Sequence, residues 1–264
     1  MPKHQQTTLG RLVDEVRRRA PGSVVQVNHP RLDGRIGYFL AMHADPTTEK
    51  GRRMIPRGFH ALEVYNGFDL GEPARVDDVL GDYLALVEAG FAVAATGSSD
   101  SHSIQYVGAG YPRTYLRADV ADAASVVAAI KAGRTLATSG PLAWLRAGDA
   151  SYGDTLARTG QDAKVRVVVA RAPWLALRSV ALYAGGRRVW ERALERPATI
   201  GVPDGTLEDA RAAAVALDEE ITVTPAPGAR SLVLVVRGAP CAGDALGIRD
   251  FAPLAISSPL WLAR

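Results

Sequence analysis

The sequence holds a single cysteine, and its few histidines crowd towards one end. With only Cys241 in 264 residues, no disulfide can close within the chain, which fits a reducing compartment. No stretch comes near the roughly 20 apolar residues a membrane helix needs. The opening MPKHQQTTLGRLVDEVRRRA is polar and then amphipathic, without the apolar centre of a signal peptide. On that absence a cytoplasmic location is expected, with no membrane segment. The net charge of +3 comes from arginine scattered along the chain, not from a basic block interleaved with aromatics. Nucleic acid is therefore not an expected partner. No P-loop, dinucleotide glycine fingerprint or Gly-x-Ser-x-Gly elbow occurs.

What is there suits a globular chain of one large domain or two ordinary ones: 47% of residues are apolar and 22% charged, ample for a core. The histidines are His4, His29, His43, His60 and His102, and none follows. Any histidine chemistry belongs to the N-terminal part. His4, His43 and His60 stand in terminal or loop sequence and are expected at the surface, and Cys241 has no catalytic neighbourhood.

The first part alternates helix and strand. Thr8 can cap a helix carrying Leu9, Leu12, Val13 and Val16, which Pro21-Gly22 stops. SVVQVN (Ser23 to Asn28) predicts a buried strand, residues 30–60 a loop, and ALEVYN (Ala61 to Asn66) a second strand. A helix over 74–89 follows, with Val76, Val79, Leu80, Tyr83 and Val87 on one face and Gly90 at its end. FAVAATG is a third strand, RTYLRA a fourth, and TLATSG a fifth after a helix capped by Asp122. Such alternation implies a mainly parallel sheet or barrel, with active residues at the carboxyl ends of strands. From about Gly160 the pattern changes to short strands separated by Gly and Pro: KVRVVVARA, SVALYAGG, RRVWER, EEITVTP, RSLVLVVRG and PLAISSPLWLA. Only Leu207 to Ala216 suits a helix. This half reads as a β-sandwich, with the boundary between Pro141 and Gly160. The domains are then 1–148 and 149–264.

The stretch TGSSDSHS places Asp100 and His102 two apart in a loop of small residues. In extended backbone they point to the same side, and a carboxylate oxygen with an imidazole nitrogen suits a cation. The plainer alternative is a solvated turn. His29, in VNHPR, is expected to be extended because Pro30 follows it; it suits a ligand or a hydrogen-bonded strand end. Glu63 inside the second strand needs a salt-bridge partner or a polar mouth. Tyr65 and Asn66 lie near that strand's end, where substrate contact is possible. Arg113 is either an anion clamp or a structural ion pair.

VVQVNHPR, ALEVYNG, ATGSSDSH, GYPRTY and AGRTLATSGP, in that order, resemble the PHP superfamily (polymerase and histidinol phosphatase domain). The nearest likeness is to its carbaryl-hydrolase-like metallohydrolases, and the tail resembles their C-terminal β-rich domain. The resemblance implies an α/β fold: the C-terminal part of a distorted (β/α)7 barrel followed by an all-β sandwich-like domain. It implies two or three divalent ions (zinc, manganese or iron) in the intact protein, with His29, Asp100 and His102 as ligands. Glu63 matches a recurrent family position. The family's opening His-x-His strand is not found, so an N-terminally truncated chain is expected. Upstream sequence or a partner chain would supply the rest of the barrel.

The expected activity is water activation on a metal cluster, cleaving a phosphoester or an ester or carbamate of a small molecule. Arg113 would hold an anionic group. Two other readings stand beside it: an inactive fragment whose β-domain is a binding module, and a one-metal hydrolase using His29, Asp100 and His102.

Overall fold

The computed structural model describes residues 8–32, 36–103, 108–158, 160–172, 175–194, 212–240 and 251–263. His4, Cys241 and the first half of the helix expected over Leu207 to Ala216 lie outside them. The first helix, α1 (Leu9–Arg19), begins at the predicted Thr8, although the threonine hydroxyl makes no capping bond. The first strand, β1, is only Gln26–Val27, shorter than predicted. Its approach is tied off instead by His60, which is half-buried, not a surface residue: Val25 N–H donates to His60 Nδ1 at 3.0 Å. The stretch expected to be loop holds two short helices, α2 (Tyr38–Ala41) and α3 (Glu49–Met54). The second strand, β2 (Ala61–Asn66), has the predicted bounds and is buried throughout.

Helix α4 (Pro73–Glu88) buries the predicted stripe of Val76, Val79, Leu80, Tyr83 and Val87. It stops at Gly90, whose φ of +80° favours glycine. There follow β3 (Ala94–Ser98), β4 (Arg113–Leu116), α5 (Ala123–Lys131) and β5 (Thr135–Thr138). Asp122 caps α5 by accepting from Ser125 N–H at 2.7 Å. The strands that follow are β6 (Leu142–Ala147), β7 (Ala150–Ser151), β8 (Thr155–Leu156), β9 (Ala163–Ala170), β10 (Leu177–Ala184), β11 (Arg187–Ala193), β12 (Val215–Val223), β13 (Ser231–Gly238), β14 (Leu254–Ser257) and β15 (Leu260–Leu262). Of the described half of the helix expected over Leu207 to Ala216, residues 212–214 are helical, whereas Val215 and Ala216 open strand β12. Positions 148 and 149 form the turn of the β6–β7 hairpin, where Ala147 faces Ala150.

The parallel pattern stops after three strands. β1, β2 and β3 form a parallel sheet in that order. The described residues close no barrel, so the expected (β/α)7 architecture gives way to a mixed α/β fold with more strand than helix. β4 and β5 pair antiparallel with each other, and β5 pairs with β14. They therefore belong to a second sheet of order β11-β10-β13-β14-β5-β4. The outer edge of β3 is met by hydroxyls instead of a neighbouring backbone. Ala95 N–H donates to Ser258 Oγ at 2.9 Å, Thr135 Oγ1 donates to Ala95 C=O at 2.7 Å, and Thr114 serves both groups of Gly97. Backbone polar groups at a buried edge need such partners.

This second sheet is the middle layer. In β13 every position from Leu232 to Val236 is apolar, which suits a strand covered on both faces. Val233 and Val235 pack with α4, Phe39, Phe91 and Ile256 in one core. Leu232, Leu234 and Val236 pack in another, against Val165, Val167 and Val169 of β9 and Leu145 of β6. The third layer, β12-β9-β6-β7, alternates because its far face meets solvent. There Arg166 pairs with Asp218 at 2.7 Å, and Lys164 pairs with Glu220. A β-rich two-sheet unit is thus present, and it includes β4 and β5. Among the described residues, no helix is long and apolar enough to cross a membrane.

Candidate metal centre

Three parallel strands end on one edge, and each delivers a polar residue there. β1 leads to His29, β2 carries Glu63 and ends in Asn66, and β3 leads to Asp100. His29 Nε2 stands 3.7 Å from Asp100 Oδ2, and His29 Nδ1 stands 3.6 Å from Glu63 Oε2. His29 is not extended: its φ is +51°, and that of Asp100 is +49°. His and Asp are among the residues that best tolerate this left-handed region. At His29 both backbone groups are held there. Its N–H donates to Glu63 Oε2 at 2.8 Å, and its C=O accepts from Tyr38 N–H at 2.9 Å. Those two bonds override the extended preference that Pro30 imposes.

Glu63 is fully buried and finds no Arg or Lys partner among the described residues. Its Oε1 is buried with no hydrogen bond at all. Burial pushes its carboxyl above the usual range, against the pull of the His29 N–H. Asn66 is fixed by Phe68 N–H, which donates to its Oδ1 at 2.8 Å. That turns the amide nitrogen towards His29 Nδ1 (3.4 Å) and Asp100 Oδ2 (3.5 Å). Behind it, Asn66 N–H donates to Asp69 Oδ2 at 3.2 Å, and Asp69 pairs with Arg75.

His102 stands apart, with 77% of its side chain exposed. Its Nδ1 lies 2.7 Å from the Asp100 carbonyl oxygen, so that nitrogen carries the proton, and 3.6 Å from Asp100 Oδ1. Asp100 is not extended, so the pair is adjacent by a turn and not by strand alternation. Tyr65 is buried and lines a cavity beside α4. Arg113 donates to Gly110 C=O at 2.7 Å and to Tyr115 OH at 3.2 Å, and lies over the rings of Tyr111 and Tyr115.

Sequence reasoning passed over Arg31, two residues after His29. Its guanidinium grips fully buried Asp82 of α4 with two bonds, 2.6 and 2.8 Å. This anchors the His29 turn to the helix. Asp69 was missed too; its only signal was the Asn66-x-x-Asp69 spacing of a capping box.

In kind, the donors fit a divalent cation: an imidazole nitrogen and a carboxylate oxygen face each other across a gap that two bonds of about 2.1 Å can span. Beside them lies a buried carboxylate oxygen without a partner. In number they fall short. Among the described residues, no three His, Cys, Asp or Glu side chains are arranged to hold a metal.

No curated protein and no solved structure matches the chain. Residues 90–135, which run from the end of α4 through Asp100, His102 and Arg113 to β5, match the family model of a PHP-associated domain. That match associates the chain with the PHP superfamily.

Proposed function

We propose that this chain is part of a metal-dependent hydrolase of the PHP type, with His29 and Asp100 sharing one divalent cation and His102 joining them by rotation. The observation that carries this reading is the 3.7 Å approach of His29 Nε2 to Asp100 Oδ2 beside the partnerless, buried Glu63 Oε1. A cation bound there, zinc, manganese or iron, would supply Lewis acidity for attack by water on a phosphoester, ester or carbamate. The residues themselves do the holding. Glu63 and Tyr38 set the His29 turn, Arg31 ties it to α4, and Asn66 points its amide at both donors. The donor shortfall is met by ligands from outside the described residues, from upstream sequence or from a partner chain, and Arg113 holds an anionic group of the substrate. Ester or carbamate cleavage rests on the sequence's resemblance to carbaryl-hydrolase-like enzymes, and phosphoester cleavage stands beside it.

The test is metal content and turnover together. The chain is assayed alone and with its upstream coding sequence, on p-nitrophenyl phosphate, bis-p-nitrophenyl phosphate and 1-naphthyl methylcarbamate, with zinc, manganese or ferrous ion. Metal-dependent turnover that Asp100→Ala abolishes supports the reading. Equal turnover in Asp100→Ala, or no metal retained by either form, removes it. The donor shortfall favours a second reading in that event: a non-catalytic chain whose β-rich unit binds a partner.

A further inference from the structure

A cavity of about 400 Å³ opens between α4 and the middle sheet, a size that suits a small organic ligand. Its walls are mainly apolar: Leu70, Pro73 and Val76 on one side, Phe251, Pro253 and Leu254 on the other. Two arginines from neighbouring strands also line it, Arg178 of β10 and Arg237 of β13. Their charges differ in compensation. Arg237 pairs with Asp77 at 2.5 Å, and Asp69, the one acid among the described lining residues, pairs with Arg75. Arg178 has no hydrogen-bond or ion-pair partner for its side chain among the described residues. Its position is also unusual. Leu177 pairs with Gly238 and Ser179 with Arg237, so Arg178 is the extra residue of a bulge. Bulges re-aim side chains, and this one sets a guanidinium on an apolar cavity.

We infer that this cavity binds a small organic monoanion, its apolar body against Phe251 and Val76 and its carboxylate or sulfonate on Arg178. Arg178 is exposed to solvent at the cavity's rim, and among the described lining residues it is the charge without an ionic partner. A neutral apolar guest would leave it unused, and a cation would be repelled. The inference does not depend on a metal at His29 and Asp100.

The probes are 2-naphthoate and its neutral counterpart 2-naphthamide, titrated calorimetrically into the full chain. Naphthoate should saturate one site per chain and bind at least about tenfold tighter than the amide. Arg178→Glu should erase that preference, while Arg166→Glu on the outer sheet leaves it intact. A Cβ at Gly71, which lines the cavity, would meet nothing within 4 Å, so Gly71→Phe can fill the space without a backbone clash. It should abolish binding of both probes. Equal affinity for the two probes, a preference that survives Arg178→Glu, binding indifferent to Gly71→Phe, or no saturable binding would each overturn the inference.

Discussion

Thr114 serves Gly97 as a neighbouring strand would. Its one hydroxyl oxygen accepts from Gly97 N–H at 2.9 Å and donates to Gly97 C=O at 2.8 Å. Gly97 is required by the same closeness, since a Cβ there would meet the Arg113 carbonyl oxygen at 2.8 Å. Thr114→Val keeps the shape and removes both bonds, leaving polar backbone unsatisfied at about 1–3 kcal/mol per group. Urea denaturation should show a loss of about 2–6 kcal/mol for the two groups together, which Thr114→Ser largely restores. No loss in the valine variant would mean that water reaches this edge.

Arg31 and Asp82 make a stronger prediction. Burial pushes the Asp82 carboxyl up, and the Arg31 guanidinium opposes it. Arg31→Met leaves that carboxyl buried without its cation, at a cost of about 3–5 kcal/mol. Adding Asp82→Asn should recover part of the loss in a double-mutant cycle; strictly additive losses would show that the pair is not coupled.

His60 gives a pH dependence of definite sign. Burial holds its imidazole below the ordinary value, and Lys131 of α5 and Arg17 of α1 add to this. The folded chain prefers the neutral ring, whose Nδ1 accepts from Val25 N–H. Its contribution is full above the unfolded value of about 6.5 and is lost as pH falls below it. The thermal midpoint of the native chain should therefore fall more steeply between pH 7 and pH 5 than that of His60→Gln, which does not titrate. Parallel curves would show that the Val25 bond carries no such dependence.

On the proposed function, the donors should be unequal. His29→Ala and Asp100→Ala should each weaken cation binding by at least about tenfold, measured by equilibrium dialysis with manganese. His102→Ala should cost less, because its ring is largely in solvent and committed to the Asp100 carbonyl. A larger effect at His102 than at His29 would reverse the assignment.

The parts legible in the sequence were those whose period is local. The stripe Val76 to Val87 gave α4, the unbroken ALEVYN gave β2, and Asp122 gave the start of α5. The direction of a strand is not written locally. RTYL and TLAT look the same whether they continue a parallel sheet or turn back to join β14, so β4 and β5 were assigned to the wrong kind of sheet. LAWLRA alternates cleanly, yet it falls within the expected boundary between Pro141 and Gly160, and β6 is not among the predicted strands. The placing of His29, Asn66 and Asp100 on one edge followed from strand ends, whereas Glu63 lies within β2, and the left-handed turn at His29 depends on bonds to Glu63 and Tyr38 that no spacing announces.

The place of β14 bears on how the chain is made. Residues 254–257 lie between β13 and β5, joining β11-β10-β13 to β5-β4. During vectorial synthesis β5 leaves the ribosome more than a hundred residues before that partner. The central sheet therefore completes only after residue 257 has emerged, and a nascent chain stalled before that point exposes two unmatched strand edges to chaperones.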